Sequence, residues 1–350
     1  MGTAAKTRLS GIEAIRGIAA TIVVLYHVAR HLNQAHSVPY LMRAIQFGHA
    51  GVDLFFVVSG FIILFVHYRD VGKPAHLSHY LARRFSRVMP TYWVALGLTL
   101  LIGIGAGHGM PALPRVLWSA TLLPSVTEPV LGIAWTLSYE IVFYSVFCVL
   151  IVSRKVGLAL LAAWLGWILA TSTGLIPSMA TVPPSLYGTY GLEFFMGMAV
   201  AYWLLRRTVP RPRLIFAAGL ALFATAAMAE DAGYLNGFAA LARLAYGIPS
   251  ALLVLGIAET ERGGQLNLPA GLRVLGRASY SVYLFQFVFI GLAWKLWLAV
   301  GLEGLTPDWV SYLVLVYAVL AGGVAMAWLV ERPLLGLMRS KRLKAVAQPA

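Results

Sequence analysis

The sequence predicts an all-α polytopic membrane protein with about ten transmembrane helices, and composition and span length are the two observations behind this prediction. Of the 350 residues, 60% are hydrophobic and 11% are charged, which is about half the charged fraction of a soluble domain. Apolar stretches of roughly 17 to 24 residues, long enough to cross the hydrocarbon core, recur along the chain. The ten stretches are 12–30, 50–68, 90–106, 132–153, 156–173, 186–205, 213–229, 239–258, 279–299 and 309–330.

The basic residues predict how these spans are oriented. A net charge of +14 would also suit a nucleic-acid-binding protein, but in a hydrophobic chain it more often reflects membrane topology, so no nucleic acid is expected as a partner. With a cytoplasmic N-terminus, most of the 27 Lys and Arg residues fall in cytoplasmic segments. The positive-inside rule therefore predicts two cytoplasmic termini, with a membrane domain over 1–335 and a basic cytoplasmic tail over 336–350.

The N-terminal pattern and the cysteine count narrow the class further. Lys6 and Arg8 precede the first apolar span, and no small-residue cleavage pattern follows it, so we expect an uncleaved membrane helix. Cys148 is the only cysteine, which excludes an internal disulfide and a cysteine-rich metal site. No metal is expected.

The first span carries two ionisable residues, Arg16 and His27. They lie eleven residues apart, about three helical turns and roughly 16 Å along one face of a helix. Ionisable groups at membrane depth normally face a protein interior or a wet cavity and mark a pathway or a reaction site. The structural alternative is an arginine that extends to the interface and a histidine satisfied by a neighbouring helix.

Carboxylates in two further spans are candidate partners. Asp53 is predicted near the outer surface within reach of His27, where a carboxylate would fix the imidazole tautomer that a general base requires. Asp53 would equally suit the positive end of its own helix. Glu140 is predicted about two turns below the outer surface. Either Glu140 or Glu193 could pair with an internal arginine, and we favour that structural role for Glu193.

A basic cluster follows the second span. Arg83 and Arg87 are four residues apart and would share a helical face flanked by Arg84, a compact arrangement for binding phosphates. The positive-inside rule also places arginines here.

These residues stand in motifs that together resemble the membrane-bound acyltransferase-3 family, in particular its exopolysaccharide and lipopolysaccharide O-acetyltransferases. The resemblance covers 11–335. The motifs are AIRGIAATIVVLYH, GVDLFFVVSGFII, RRFSRVMPTYW, WTLSYEIVFY, ASYSVYLFQ and VERPL. The resemblance implies a roughly ten-helix enzyme of the bacterial inner membrane that moves an acyl group, such as acetyl, from cytoplasmic acyl-CoA to a carbohydrate hydroxyl. Its expected partners are acetyl-CoA as donor, a glycan or lipid-linked glycan as acceptor, and membrane lipids, with an oligomer possible.

The resemblance also assigns residues. His27 matches the family's essential histidine and Arg16 its paired arginine, while Arg83, Arg84 and Arg87 match a basic motif associated with CoA phosphates. Gln286 stands where many relatives carry a second histidine, which argues against a two-histidine mechanism. The chain also ends without the extracytoplasmic domain that some relatives carry.

The expected chemistry is thioester-to-hydroxyl transfer, with His27 as base and Asp53 as the residue that orients it. A transient acyl-histidine is an open alternative. Stabilisation of the oxyanion is open among Arg16, Ser59, Ser138 and Tyr139. The predicted catalytic residues are His27, Asp53, Arg16 and Glu140, and the predicted donor-binding residues are Arg83, Arg84, Arg87, Tyr92 and Ser59. The rival class is a proton-coupled transporter with a relay through His27, Asp53 and Glu140, but the two related halves typical of transporters are not found.

Overall fold

The computed structural model describes residues 9–107, 109–177, 179–264 and 266–338. Within these ranges every regular element is helical and none is a strand, which confirms the predicted all-α class. Lys6, Arg8 and residues 339–350 of the predicted basic tail lie outside the described residues. Residues 336–338 continue the last helix.

Thirteen α-helices are described. They are α1 (Ser10–His36), α2 (Pro39–Ile45), α3 (Gly51–His67), α4 (Leu77–Gly105), α5 (Leu113–Thr121), α6 (Trp135–Val152), α7 (Arg154–Ser172), α8 (Pro184–Tyr187), α9 (Gly191–Leu204), α10 (Pro212–Asp231), α11 (Ala240–Arg262), α12 (Ala270–Ala299) and α13 (Asp308–Met326). After α13 the chain makes a π-helical turn, Ala327–Glu331, and stays helical to the end of the described residues.

By length and composition, nine helical segments in the described ranges can cross a membrane. The predicted span 186–205 differs, because Gly188 adopts an extended conformation and separates the short α8 from α9, a helix of 14 residues. The predicted span 90–106 also changes: α4 begins at Leu77 and continues through Pro90. The basic motif therefore lies on the same helix as the apolar span.

The long helices alternate in direction, so their ends form two faces. We call one end of the bundle the basic face; it carries the turns 68–76, 205–211 and 263–269 and the end of the described chain. Hydrogen bonds tie this face together, from the Gly72 amide to the Leu150 carbonyl and from the Arg262 guanidinium to the Leu204 carbonyl. Its cations include Arg69, Lys73, Arg154, Lys155, Arg206, Arg207, Arg211 and Arg262.

The opposite face is formed by the connections 106–134, 173–190, 232–239 and 300–307, together with α2. In the described part of these connections the cations are Arg43 and Arg115. The charge asymmetry is thus a property of the folded bundle. That the basic face is cytoplasmic remains a prediction from the positive-inside rule.

Two close helix crossings position the interior. A Cβ on Gly17 of α1 would lie 2.6 Å from the Gly276 amide nitrogen of α12, and a Cβ on Gly60 of α3 would clash with the Phe194 carbonyl of α9. Glycine is required where backbones approach this closely. Arg16, the residue next to Gly17, lines an interior cavity of the bundle together with Tyr280 and Tyr283 of α12.

Candidate active site

A chamber lies inside the bundle between α1, α3, α4, α6 and α12. It has a cavity volume of about 90 Å³ and follows α3 from Ile63 to Val52, roughly 16 Å along the helix axis. Five predicted site residues line it together. They are Arg16, Ser59, Arg84, Arg87 and Glu140. Three of these are arginines, and two of the three come from the third turn of α4, close to the basic face.

Glu140 is held in the chamber by two hydroxyl groups. Ser59 Oγ donates to Glu140 Oε1 at 2.7 Å, and Tyr144 Oη donates to Glu140 Oε2 at 2.9 Å. Arg16 lines the same chamber. It therefore faces this interior space, and the alternative in which it extends to the interface is wrong.

Arg87 is fixed by a residue to which sequence reasoning gave no role. Its Nη1 lies 2.5 Å from Oε1 of Glu331, and the other carboxylate oxygen accepts a hydrogen bond of 2.6 Å from Ser281 Oγ. Arg87 also lies over the Tyr280 ring at 5.4 Å. Glu331 is 2% exposed and belongs to the π-helical turn, a feature that is frequent at functional sites. Glu331 is the glutamate of the VERPL motif, so this motif was the sequence feature that could have pointed to it.

Arg83 is turned away from this chamber. It is exposed and lines a separate groove at the basic face with His67, Asp70 and His76. At 100° per residue, the buried side of α4 is centred between Arg84 and Arg87, and Arg83 lies about a quarter turn away. Arg84 and Arg87 therefore line the chamber and Arg83 does not. That these arginines bind phosphates stays a prediction.

Tyr92 is buried outside the chamber. Its hydroxyl donates a hydrogen bond of 2.7 Å to the Ser119 carbonyl, which ties α5 to α4. Tyr92 lies one turn beyond Val88, which lines the chamber, but Tyr92 itself is not among the lining residues. That Tyr92 contacts the donor stays a prediction.

Asp53 belongs to a different buried cluster. Its Oδ1 lies 2.7 Å from Arg243 Nη1, and Glu193 Oε1 lies 3.9 Å from the same nitrogen. The guanidinium also stacks over Tyr190 at 4.2 Å. The internal-arginine role favoured for Glu193 is confirmed. The predicted pairing of Asp53 with His27 is wrong, because Asp53, in the first turn of α3, points toward α9 and α11.

Gln286 takes the place that Asp53 was expected to fill. His27 Nδ1 lies 2.8 Å from Gln286 Oε1, and Gln286 Nε2 donates a hydrogen bond of 2.8 Å to the Tyr283 carbonyl. Because the amide nitrogen is committed to that carbonyl, its oxygen faces the imidazole and can only accept. Nδ1 must then carry the proton, which leaves the lone pair on Nε2. His27 is therefore hydrogen-bonded to a neighbouring helix, as the structural alternative expected. It also has the protonated Nδ1 and the free Nε2 that a general base requires.

His27 lies just beyond the chamber, on the side of the opposite face. Its ring packs edge-on against Phe287 at 4.8 Å. Tyr283, whose carbonyl holds Gln286, lines the chamber itself and accepts or donates a hydrogen bond of 2.9 Å with Thr136. One turn of α12 therefore connects the chamber wall to the imidazole.

Comparisons with known proteins identify the family of this chain. The profile of the acyltransferase-3 family, described as an acyltransferase domain, matches residues 9–329. The chain belongs to the acyltransferase-3 family. An exopolysaccharide production protein of Rhizobium meliloti, ExoZ, is 33% identical over 333 residues, which cover 85% of this chain and 93% of the relative. A putative membrane-bound transacylase of Komagataeibacter xylinus, BcsY, is 25% identical over 325 residues, covering 81% and 73%. No solved structure matches.

Family membership makes this chain a multi-pass membrane enzyme that transfers acyl groups, and it removes the transporter alternative. In this acyltransferase, two of the four candidates for oxyanion stabilisation, Arg16 and Ser59, line the chamber, whereas Ser138 and Tyr139 line a cleft on the other side of α6. In the described ranges no group of three or more His, Cys, Asp or Glu side chains is placed to hold a metal ion.

Proposed function

We propose that this acyltransferase moves a short acyl group, acetyl in the first instance, from acyl-CoA to a hydroxyl of an exported or cell-surface glycan. One observation carries the donor half of the proposal. The chamber has arginines near the basic face and a tautomer-fixed imidazole just beyond its other end, so the phosphates and the thioester of one extended molecule have separate places. Charge-assisted contacts from arginine to phosphate are among the strongest hydrogen bonds.

The acceptor half rests on the relatives. ExoZ is named as an exopolysaccharide production protein and covers most of this chain. A glycan hydroxyl is a weak nucleophile at neutral pH, so its attack on a thioester needs a base. We assign this role to His27, because the contact of its Nδ1 with Gln286 Oε1 supports a tautomer with a free Nε2.

The proposed reaction balances without a cofactor. His27 Nε2 takes the proton of the acceptor hydroxyl, and the oxygen attacks the thioester carbonyl. The attack gives a tetrahedral oxyanion beside His27; Arg16, about 16 Å away along α1, is too distant to stabilise it and is assigned to the donor chamber with Ser59. The carbon–sulfur bond then breaks, and the leaving CoA thiolate takes the proton from the imidazolium. An acyl-histidine relay would use the same residues, with Nε2 as the nucleophile.

The test uses the purified full-length protein in lipid nanodiscs with acetyl-CoA and oligosaccharides from de-acetylated exopolysaccharide. We expect thiol release that depends on the acceptor, and a loss on the order of 10² to 10⁴ in rate for His27→Ala. His31→Ala is the matched control, one turn further along α1 and packed against Trp294. Saturable acetyl-CoA binding should survive in His27→Ala. No acetyl-CoA binding by the wild type, or equal activity in both histidine variants, would refute the proposal.

A further inference from the structure

A second cleft lies at the opposite face, between α5, the connection 122–130, the first turn of α6 and α8. It has a cavity volume of about 220 Å³. Aromatic, aliphatic and polar side chains line its walls. The residues that matter here are Trp118, Trp135 and Tyr139 as rings, with Arg115, Glu128 and Ser138 as polar groups. The mechanism above gives this cleft no role, although Trp135, Ser138 and Tyr139 belong to the WTLSYEIVFY motif.

The cleft and the chamber are back to back across α6. Thr136 and Glu140 line the chamber, whereas Trp135, Ser138 and Tyr139 line the cleft. A single helical turn therefore separates the two spaces. A molecule bound in the cleft would therefore contact one side of α6, and the chamber lies against the other side of the same helix.

The cleft and the imidazole are connected through packed residues. The turn Gly132–Ala134 precedes α6, and a Cβ on Gly132 would lie 3.8 Å from the Phe287 ring, an ordinary packing distance. That ring packs on His27. The order along this side of the bundle is thus cleft, turn, Phe287 and His27.

The walls of the cleft are fixed before any ligand binds. Trp93 Nε1 donates to the Ala120 carbonyl at 2.9 Å, and the Val130 amide donates to Ser119 Oγ at 3.0 Å. On the rim, Arg115 donates to the Glu128 carbonyl at 3.3 Å. These bonds, with the one from Tyr92, anchor α5 and its following connection to α4. A pre-formed site loses less entropy on binding.

The side chains that line the cleft indicate which class of ligand it binds. A pyranose ring has apolar C–H faces, which pack on aromatic rings, and a rim of hydroxyls, which bond to carboxylate, guanidinium and hydroxyl groups. Trp118 presents an open ring, being 48% exposed. A lipid chain would match the rings but not the ionised Arg115 and Glu128 beside them.

We propose that this cleft binds the acceptor glycan, with one sugar stacked on Trp118 and its hydroxyls bonded to the polar rim. The inference rests on the proposed function. It places the acceptor at the face remote from the donor arginines, on the side of the bundle where His27 lies. The cleft then determines which glycan is modified, while the chamber determines the donor.

The test separates acceptor binding from catalysis. Trp118→Ala and Glu128→Gln change exposed or rim side chains, so folding should be unaffected. We expect the KM for the exopolysaccharide oligosaccharides to rise about tenfold for Trp118→Ala, as loss of one ring contact implies. The KM for acetyl-CoA and kcat at saturating acceptor should not change. Trp118→Phe should recover most of the affinity.

Trp309→Ala is the matched control, an equally exposed tryptophan at the start of α13 on the same face. Tryptophans also anchor proteins at membrane interfaces. If Trp118→Ala and Trp309→Ala have the same effect, or if Trp118→Ala alters thermal stability in nanodiscs and not the acceptor KM, the cleft is an interfacial surface and the inference is wrong. Failure of the proposed function is distinct, since the wild type would then release no thiol from acetyl-CoA.

Discussion

His27 Nδ1 and Gln286 Oε1 lie 2.8 Å apart, and the Gln286 amide is itself oriented by the Tyr283 carbonyl. This contact determines the tautomer of the buried His27 imidazole, and no carboxylate takes part in it. A neutral acceptor holds the ring and leaves Nε2 as the base, but it gives the imidazolium less electrostatic stabilisation than a carboxylate would. The group that orients the base is therefore the side-chain amide of Gln286, which lies in an apolar span.

The first prediction is that Gln286→Leu lowers kcat by roughly tenfold, about the value of one hydrogen bond that orients a reacting group. The affinity for acetyl-CoA should be unchanged, because Gln286 lies outside the donor chamber. Rates from thiol release and donor binding by calorimetry check this. Gln34→Leu, an exposed glutamine of α1, is the control. Wild-type kcat in Gln286→Leu would show that the imidazole is oriented by other contacts.

The second prediction concerns the cluster that holds Asp53. Arg243→Met leaves the Asp53 and Glu193 carboxyl groups buried without their cation, and breaking such a group costs about 3–5 kcal/mol. We expect a large loss of thermal stability in detergent, and no such loss for Arg206→Met, whose side chain is exposed.

The triple variant Arg243→Met, Asp53→Asn, Glu193→Gln should recover much of that loss, because neutral replacements of a buried ion cluster are often well tolerated. If Arg243→Met unfolds at the wild-type temperature but lacks activity, the cluster has a catalytic rather than a structural role.

These clusters show which features can be predicted from the sequence. The length of an apolar stretch depends only on residues that are close in sequence, so the spans, the helical class and the charge asymmetry of the chain were predictable. Arg16, Arg84, Arg87, Ser59 and Glu140 were predicted to form a site, and they line one chamber.

The error in the partner of Asp53 came from helix rotation. Asp53 lies at the expected depth, but the direction in which its side chain points depends on which helices are neighbours, and sequence spacing within one helix does not contain that information. Glu331 was missed for the same reason, since its partners on α4 and α12 are distant in sequence.

The third prediction tests Glu331 as the residue that positions Arg87. Glu331→Gln and Arg87→Gln should each weaken acetyl-CoA binding by roughly tenfold, since charge-assisted bonds are worth about 1.5–3 kcal/mol. The double variant should bind little worse than Arg87→Gln alone, because the carboxylate acts through the guanidinium. Calorimetry with acetyl-CoA checks this.

Two matched controls accompany this cycle. Arg83→Gln alters an arginine of α4 outside the chamber, and Glu303→Gln alters an exposed carboxylate. Both should bind acetyl-CoA nearly as the wild type does. Additive effects of Glu331→Gln and Arg87→Gln would mean that the two residues contribute to binding independently.

A vesicle experiment requires the orientation of the protein to be known. The chain has one cysteine, Cys148, so a Cys148→Ala background accepts single reporters. Lys155→Cys lies at the basic face and Ser125→Cys at the opposite face. A membrane-impermeant maleimide then reports which face is outside.

The last prediction is that the two substrates work from different faces. The donor arginines lie near the basic face, whereas His27 and the aromatic cleft lie toward the opposite face, separated by about three turns of α1. In sealed vesicles, acetyl-CoA should support transfer only when supplied at the basic face, and impermeant oligosaccharides should be modified only at the other. A lipid-linked acceptor modified on the basic face is the competing arrangement. Transfer with both substrates at the basic face of tight vesicles would exclude the transmembrane route, while the acyltransferase activity itself would stand.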